Sequence, residues 1–215
     1  MDLETEKKAA AEAAAALVGD GMLIGLGTGS TVAYLLPALA RRARALRCVA
    51  TSPLTEEAAR RAGLVVEPFG GHDRFDLAID GADQIAPDGW LVKGGGAAHT
   101  REKLVAASAE RFVVIADSAK PVARLHGPIP LELLEFGLQS TLRRLGTVRR
   151  RDVPQSPDGG IIVDFTGAVD DPATLAERLA RTPGVVEHGL FPPEMVTMAL
   201  VARGTEVETL VFTPR

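Results

Sequence analysis

The sequence predicts an α/β protein: a Rossmann-like, doubly wound, mainly parallel sheet with a second, smaller ferredoxin-like α+β domain. Three observations carry this reading. In the first half, short apolar runs such as MLIGLG (22–27), RCVAT (47–51) and RFVVIAD (111–117) alternate with stretches of helical character, and that alternation builds parallel sheets. In the second half the rhythm changes to β-α-β-β-α-β, the split arrangement of ferredoxin-like domains. A hydrophobic fraction of 46% beside 24% charged residues suits a chain that builds a real core.

The elements follow in order. Residues 3–18 read as a helix stopped by Gly19. MLIGLG is a strand running into glycines, and TVAYLLPALARRARA (31–45) is a helix in which Pro37 is a candidate kink. RCVAT is a strand, and PLTEEAARRAG (53–63) is a helix with Pro at its start and Gly at its end. LVVEPF, FDLAID, WLVK and RFVVIAD are further strands, and REKLVAASAE (101–110) is a helix with Thr100 as its N-cap. PLELLEF, LQSTLRRLG, TVRRR, GGIIVDF, DPATLAERLART and VVEHGLF then give the second domain, with PDGG (157–160) as a hairpin turn. MVTMALVARG and VETLVFT close the chain as two strands. These boundaries predict a Rossmann-like domain over 1–127 plus 204–215 and a ferredoxin-like domain over 128–203.

Composition narrows the function classes. No apolar run approaches the ~20 residues of a membrane span. The alanine-rich start MDLETEKKAAAEAAAALVG lacks the positive n-region and Leu-rich core of a signal peptide. A cytoplasmic protein without membrane partners is expected. A lone Cys48 excludes an intramolecular disulfide, and its setting CVA suggests a buried strand position. A net charge of −4 argues against nucleic acid as the main partner. Of the 24 basic residues, the lysines are Lys7, Lys8, Lys93, Lys103 and Lys120; the others are arginine. Two of these lysines flank a glycine run and a third follows a strand. A compact ammonium differs chemically from a planar guanidinium.

GLGTGST (25–31) follows a strand and opens a helix. Backbone N–H groups at such a helix start favour an anion. The stretch is neither a Walker loop nor G-x-G-x-x-G, and the hydroxyls of Thr28, Ser30 and Thr31 beside Gly29 suit a small phosphate. A tight strand-to-helix turn is the plain alternative.

DGAD (80–83) ends the strand FDLAID. Asp80, Gly81, Ala82 and Asp83 therefore lie where open α/β sheets bind ligands, at the carboxyl edge of a strand. An Asx turn would serve equally well in isolation. Lys93 ends WLVK, which should carry its ammonium to the same sheet edge. Gly94, Gly95 and Gly96 then allow close approach to the backbone and expose N–H donors. Glu102 lies in the first turn of the next helix, where a carboxylate also serves simply as a cap.

The combination is more informative than its parts. A pocket built only to hold phosphate would avoid Asp80, Asp83 and Glu102. Their presence makes sense where a carboxylate moves protons. An anion cradle, a fixed cation and several carboxylates suit proton abstraction next to a carbonyl, with Lys93 or backbone N–H groups stabilising an enediolate.

GLGTGSTV, DGAD and KGGGAAHTREK, with the two-domain rhythm, closely resemble ribose-5-phosphate isomerase of the A type over essentially the whole chain. The resemblance implies interconversion of ribose 5-phosphate and ribulose 5-phosphate in the non-oxidative pentose phosphate pathway, without metal or organic cofactor. It implies Glu102 as the base carrying the proton between C1 and C2, and Asp80 and Asp83 as binders of sugar hydroxyls that assist ring opening. Lys93 is implied to stabilise oxyanion charge, Thr28 to Thr31 to contact substrate, Lys120 to close the site and Lys7 to stand near the phosphate. The resemblance, with the apolar closing strands, also implies a homodimer.

Two departures stand out. The family pattern DGADE ends here in Gln84, and His99 stands where an apolar residue is common. His72, His126 and His188 show no metal-ligand spacing. Rival readings are a hexose-phosphate deaminase or lactonase of the same superfamily, and a non-catalytic sugar-phosphate sensor. The first would lack KGGGAAHTREK. The second would normally bring a DNA-binding segment.

Overall fold

A computed structural model describes residues 2–42 and 45–212 and divides the chain into two compact units. The first comprises Met1–Ala82, Arg101–Lys120 and Pro193–Arg215, and the second Asp83–Thr100 and Pro121–Pro192.

In the first unit the chain runs α1 (Leu3–Ala15), β1 (Leu23–Leu26), α2 (Ser30–Arg42), β2 (Arg47–Ala50), α3 (Pro53–Arg61), β3 (Val65–Val66) and β4 (Leu77–Gly81). The second unit then begins with β5 (Gln84–Ile85) and β6 (Leu91–Val92). The chain returns to the first unit through α4 (His99–Ala107) and β7 (Phe112–Ala116). The second unit resumes with β8 (Ile129–Leu133), α5 (Leu138–Leu145), β9 (Val148–Arg150), β10 (Ile161–Phe165), α6 (Pro172–Ala180), β11 (Val185–His188) and β12 (Leu190–Phe191). β13 (Met198–Arg203) and β14 (Glu206–Val211) close the first unit.

The first unit holds a seven-stranded sheet in the order β14-β13-β7-β4-β1-β2-β3. All neighbours are parallel except β13 and β14. From β1 the chain winds outward through β2 and β3, then returns to place β4 on the other side of β1. The switch point therefore falls between β1 and β4, and crevices form there at the carboxyl ends of the strands. β1 and β7 are buried throughout, as strands covered on both faces must be. Ile24, Leu26, Ile79, Val113 and Ile115 pack with Ala10, Ala14, Leu35 and Leu39 of the helices. α3 starts as the sequence implies, with the Ser52 hydroxyl accepting the Thr55 N–H and Pro53 in the first turn. Pro37 lies inside α2 without ending it. Ala43 and Arg44, within the expected helix over 31–45, and Thr213 of the last expected strand lie outside the described residues.

The second unit holds an antiparallel sheet in the order β11-β8-β10-β9. With α5 and α6 this is the ferredoxin-like β-α-β-β-α-β pattern. Ile129, Leu131, Leu133, Ile161, Val163 and Phe165 share a core with Leu145, Leu175 and Leu179. A small sheet, β12-β6-β5, is also antiparallel.

Three expectations change. The strand MALVAR, placed with the second domain by a boundary at 203, pairs in parallel with β7 and belongs to the first. Residues 83–100, placed with the first domain, group with the second. WLVK is not a strand of the parallel sheet; its Leu91–Val92 pairs antiparallel with Gln84–Ile85 and Leu190–Phe191. A four-residue apolar run carries no mark of which sheet it joins, because either position buries it. Among the described residues no helix is long and apolar enough to cross a membrane.

Candidate active site

In the first unit the candidate residues gather at the carboxyl edge of the sheet. GLGTGST leaves β1, Asp80 and Gly81 end β4, and Asp117–Lys120 follows β7. Asp80 is 3% exposed, and its Oδ1 accepts the N–H of Thr28 at 3.1 Å and that of Gly81 at 2.7 Å. Its carboxylate thus sits against the loop at the switch point. Charged acceptors bound by backbone N–H groups make strong hydrogen bonds, so Asp80 fixes the loop that the sequence assigns to phosphate.

Thr28 Oγ1 donates to Ser52 Oγ at 2.8 Å and lies 3.0 Å from Thr51 Oγ1 and 3.2 Å from Thr55 Oγ1. Gly29 and Ser30 are the exposed residues of the loop, and Thr31 is buried in the first turn of α2. The hydroxyl group of TSPLT went unnoticed in the sequence. A Ser-Pro pair at a helix start reads as capping alone, although it follows β2 at the same sheet edge.

Glu102 is 4% exposed in the first turn of α4. That helix begins at His99, so Thr100 lies within its first turn instead of preceding it as N-cap. The Thr100 hydroxyl donates to Glu132.

α1 reaches the loop after β7. Glu6 is fully buried and accepts the N–H of Ser118 at 2.8 Å and that of Gly204 at 2.9 Å. Its carboxyl is pushed down to about 2, first by the Ser118 hydroxyl, then by the Gly204 and Ser118 N–H groups. This anchor brings the first turns of α1, with Lys7, to the segment that carries Lys120. The Lys7 ammonium also pairs with Glu4. Glu6 was missed because it reads as one more charge in an amphipathic start.

The second unit holds Asp83, Lys93 and the glycine run. Asp83 is exposed, and its Oδ2 accepts the Gly95 N–H at 2.8 Å. Lys93 is 3% exposed, its ammonium 5.4 Å from the centroid of the Phe191 ring. That distance is within cation–π range. Gly94 has φ +107°, a conformation that L side chains rarely adopt, and a β-carbon there would stand 2.8 Å from both His99 and Pro130. Gly94 is buried, whereas Gly95 and Gly96 are exposed. His99 is fully buried. Gln84 is buried too, and its amide exchanges hydrogen bonds with the backbone of His126, which gives it a structural task.

Comparison with known proteins agrees with the geometry. Residues 47–206 match the family model for ribose 5-phosphate isomerase A (phosphoriboisomerase A). A ribose-5-phosphate isomerase A of Methanosarcina acetivorans is 45% identical over 86% of each chain. The crystal structure of ribose 5-phosphate isomerase A from Neisseria gonorrhoeae superposes with a TM-score of 0.93 at 30% identity, covering 99% of this chain and 98% of that one. A D-ribose-5-phosphate isomerase solved in complex with phospho-erythronic acid superposes at 0.92 with 31% identity, covering 98% of this chain and all of the other. An α/β core wound about a glycine loop, a ferredoxin-like second unit and matches over nearly the whole length lead to one conclusion: this chain belongs to the ribose 5-phosphate isomerase A family.

Proposed function

We propose that this family member interconverts D-ribose 5-phosphate and D-ribulose 5-phosphate by moving one proton between C2 and C1 through an enediolate, with Glu102 as the base. The Glu102 carboxylate takes the C2 proton of the open-chain aldose. The electron pair forms a C1–C2 double bond, and the carbonyl oxygen becomes an oxyanion. Lys93 stabilises that charge. A proton passes from the C2 hydroxyl to the oxygen on C1, Glu102 returns its proton to C1, and the ketose results. Asp80 and Asp83 bind sugar hydroxyls and assist opening of the ring form. Gly81, Ala82 and Gly94–Gly96 offer backbone contacts to the sugar. Thr28, Gly29, Ser30 and Thr31 line the substrate loop, and Lys120 and Lys7 supply charge for the phosphate.

The observation that carries this reading is the burial of Glu102 and Lys93, 4% and 3% exposed. Burying a charge is costly, and a carboxylate that merely served a helix dipole would stay solvated. An acid and a cation withheld from water suit general-base and oxyanion chemistry. The match to an isomerase solved with phospho-erythronic acid, an acid analogue of a sugar phosphate, supports the substrate class. The test is direct: mixing the protein with ribose 5-phosphate should raise ketose absorbance, and no rise would refute the reading.

The chain acts as a homodimer in the cytoplasm on a small pentose phosphate, without nucleic acid as a partner. Support comes from β14, an edge strand whose Val211 is 68% exposed, and from a phosphorylated substrate too charged to cross membranes unaided. Sedimentation should give a species twice 22.6 kDa; a monomer at micromolar concentration would contradict the dimer.

A further inference from the structure

Two carboxylates of the second unit lie buried on one face of its antiparallel sheet, Glu132 opposite Ile162 and Asp164 opposite Pro130. β8 and β10 alternate: Leu131, Leu133, Val163 and Phe165 face the apolar core, whereas Glu132 and Asp164 do not belong to it. Both carboxylates are nonetheless buried. Glu132 accepts the hydroxyls of Thr100 and Ser156. Asp164 Oδ1 accepts Nε and Nη2 of Arg151 at 2.8 and 2.6 Å. Arg151 is held in turn by its backbone, since its N–H donates to Ile162 O at 3.1 Å.

With two of its nitrogens on Asp164, the guanidinium turns the third toward the glycine run. Nη1 donates to Gly94 O at 2.9 Å and lies 3.3 Å from Gly95 O. A trans peptide points its C=O and N–H in opposite directions. The 94–95 peptide therefore has its carbonyl on Arg151 and its N–H on Asp83 Oδ2, at 2.8 Å. It is a strut between the guanidinium and the Asp83 carboxylate. The 95–96 peptide also turns its carbonyl to Arg151, which aims the Gly96 N–H away from it, toward the side where Asp83 lies. Gly94 O also accepts the Ala97 N–H at 3.1 Å, and Ala97 has φ +58°. A non-glycine residue held left-handed needs surrounding contacts that hold it there.

We propose that Arg151, anchored by Asp164, is a positioning residue for the isomerisation: it fixes the 94–95 and 95–96 peptides so that Gly95 N–H holds the Asp83 carboxylate and Gly96 N–H faces the sugar. This rests on the reading of Asp83 and the glycine run as substrate-binding. Arg151 acts through the loop and need not touch the substrate. The fork geometry is essential, because a lysine ammonium would have to serve Asp164 and the carbonyls from one point. TVRRR gave no hint of this, since one arginine of three looks like its neighbours.

The test compares wild type, Arg151→Met, Arg151→Lys and Asp83→Asn for kcat and KM with ribose 5-phosphate, and for amide hydrogen exchange in peptides covering residues 94–98. Arg151→Met should lower kcat by roughly 10²-fold, the scale of a ~1 Å misplacement, with a smaller change in KM. Its exchange should quicken in 94–98 while the β7 peptide stays protected. Arg151→Lys keeps a cation beside Asp164, so it serves if the Met variant does not fold, and it should recover only part of the loss. A folded Arg151 variant with wild-type kcat overturns the proposal, and so does lost activity with unchanged exchange in 94–98. A wild-type protein that does not isomerise ribose 5-phosphate sinks the parent reading instead. Loss in Asp83→Asn alone, with both Arg151 variants active, removes the clamp and leaves that reading intact.

Discussion

Gly27 lies so close to Asp80 that a β-carbon added to it would stand 1.8 Å from both Cγ and Oδ1 of the carboxylate. No rotation of a flexible tip relieves such an overlap, because Asp80 Oδ1 is held by two backbone N–H groups. The second glycine-rich position of GLGTGST is thus a vacancy cut for a carboxylate.

The first prediction follows. Gly27→Ala should push Asp80 off the Thr28 N–H, destabilise the fold by ~1–3 kcal/mol as overpacking does, and reduce kcat by roughly 10²-fold. Thermal melts and steady-state kinetics check it. A variant with unchanged activity would mean that the Asp80–loop contact is dispensable.

The second concerns acid stability. Glu6 has its carboxyl pushed down to about 2 from an ordinary 4.5, with the Ser118 hydroxyl as the leading cause. A depressed carboxyl contributes stability above its unfolded pKa and loses it as pH falls through the folded one. Glu6→Gln should therefore be less stable than wild type at pH ~7, and the gap should close as pH falls from 4.5 toward 2. Carboxyls shared by both proteins cancel in this difference. Urea midpoints across that range measure it, and a gap that stays constant or widens would contradict the assignment.

The third concerns Cys48. Burial first, and the Glu67 charge next, push its thiol up to about 12, so the reactive thiolate is scarce at neutral pH. A disulfide reagent should leave the folded protein unmodified and label one thiol after denaturation. Rapid labelling of the native protein would show that β2 opens readily.

How much of this was legible in the sequence differs by residue. β1 and β7 stand out in the sequence because strands buried on both faces are unbroken apolar runs, and caps such as Ser52-Pro53 carry local chemistry. The candidate stretches GLGTGST, DGAD and KGGGAAHTREK stand out in the sequence because glycine and charge together are costly and so need a reason. The sequence groups MALVAR with the second domain because its burial looks the same in either sheet, and the strand WLVK reads as part of the parallel sheet for a similar reason. Arg151, Glu132 and Glu6 were not legible. Each is defined by a partner distant in the chain, as Glu6 is by Gly204, 198 residues away.

The fourth prediction is that chelators leave activity intact. Among the described residues no three His, Cys, Asp or Glu side chains are grouped to hold a metal ion, and in the proposed mechanism the Lys93 ammonium supplies the positive charge that a metal would otherwise bring to the oxyanion. Turnover lost in EDTA and restored by one divalent ion would contradict this.

The central claim, that Glu102 moves the proton, is tested most directly by Glu102→Gln. The amide keeps size and hydrogen bonding but cannot accept the C2 proton. A general base contributes ~10²–10⁴-fold, or roughly 3–5 kcal/mol of barrier, so turnover should fall by at least that order. A neutral amide repels an anionic ligand less than a carboxylate does, so a pentose-phosphate inhibitor should bind as well or better. Measured together on folded protein, lost turnover with retained inhibitor binding is the predicted result. Near-normal turnover would contradict the account and shift the proton transfer to Asp80 or Asp83.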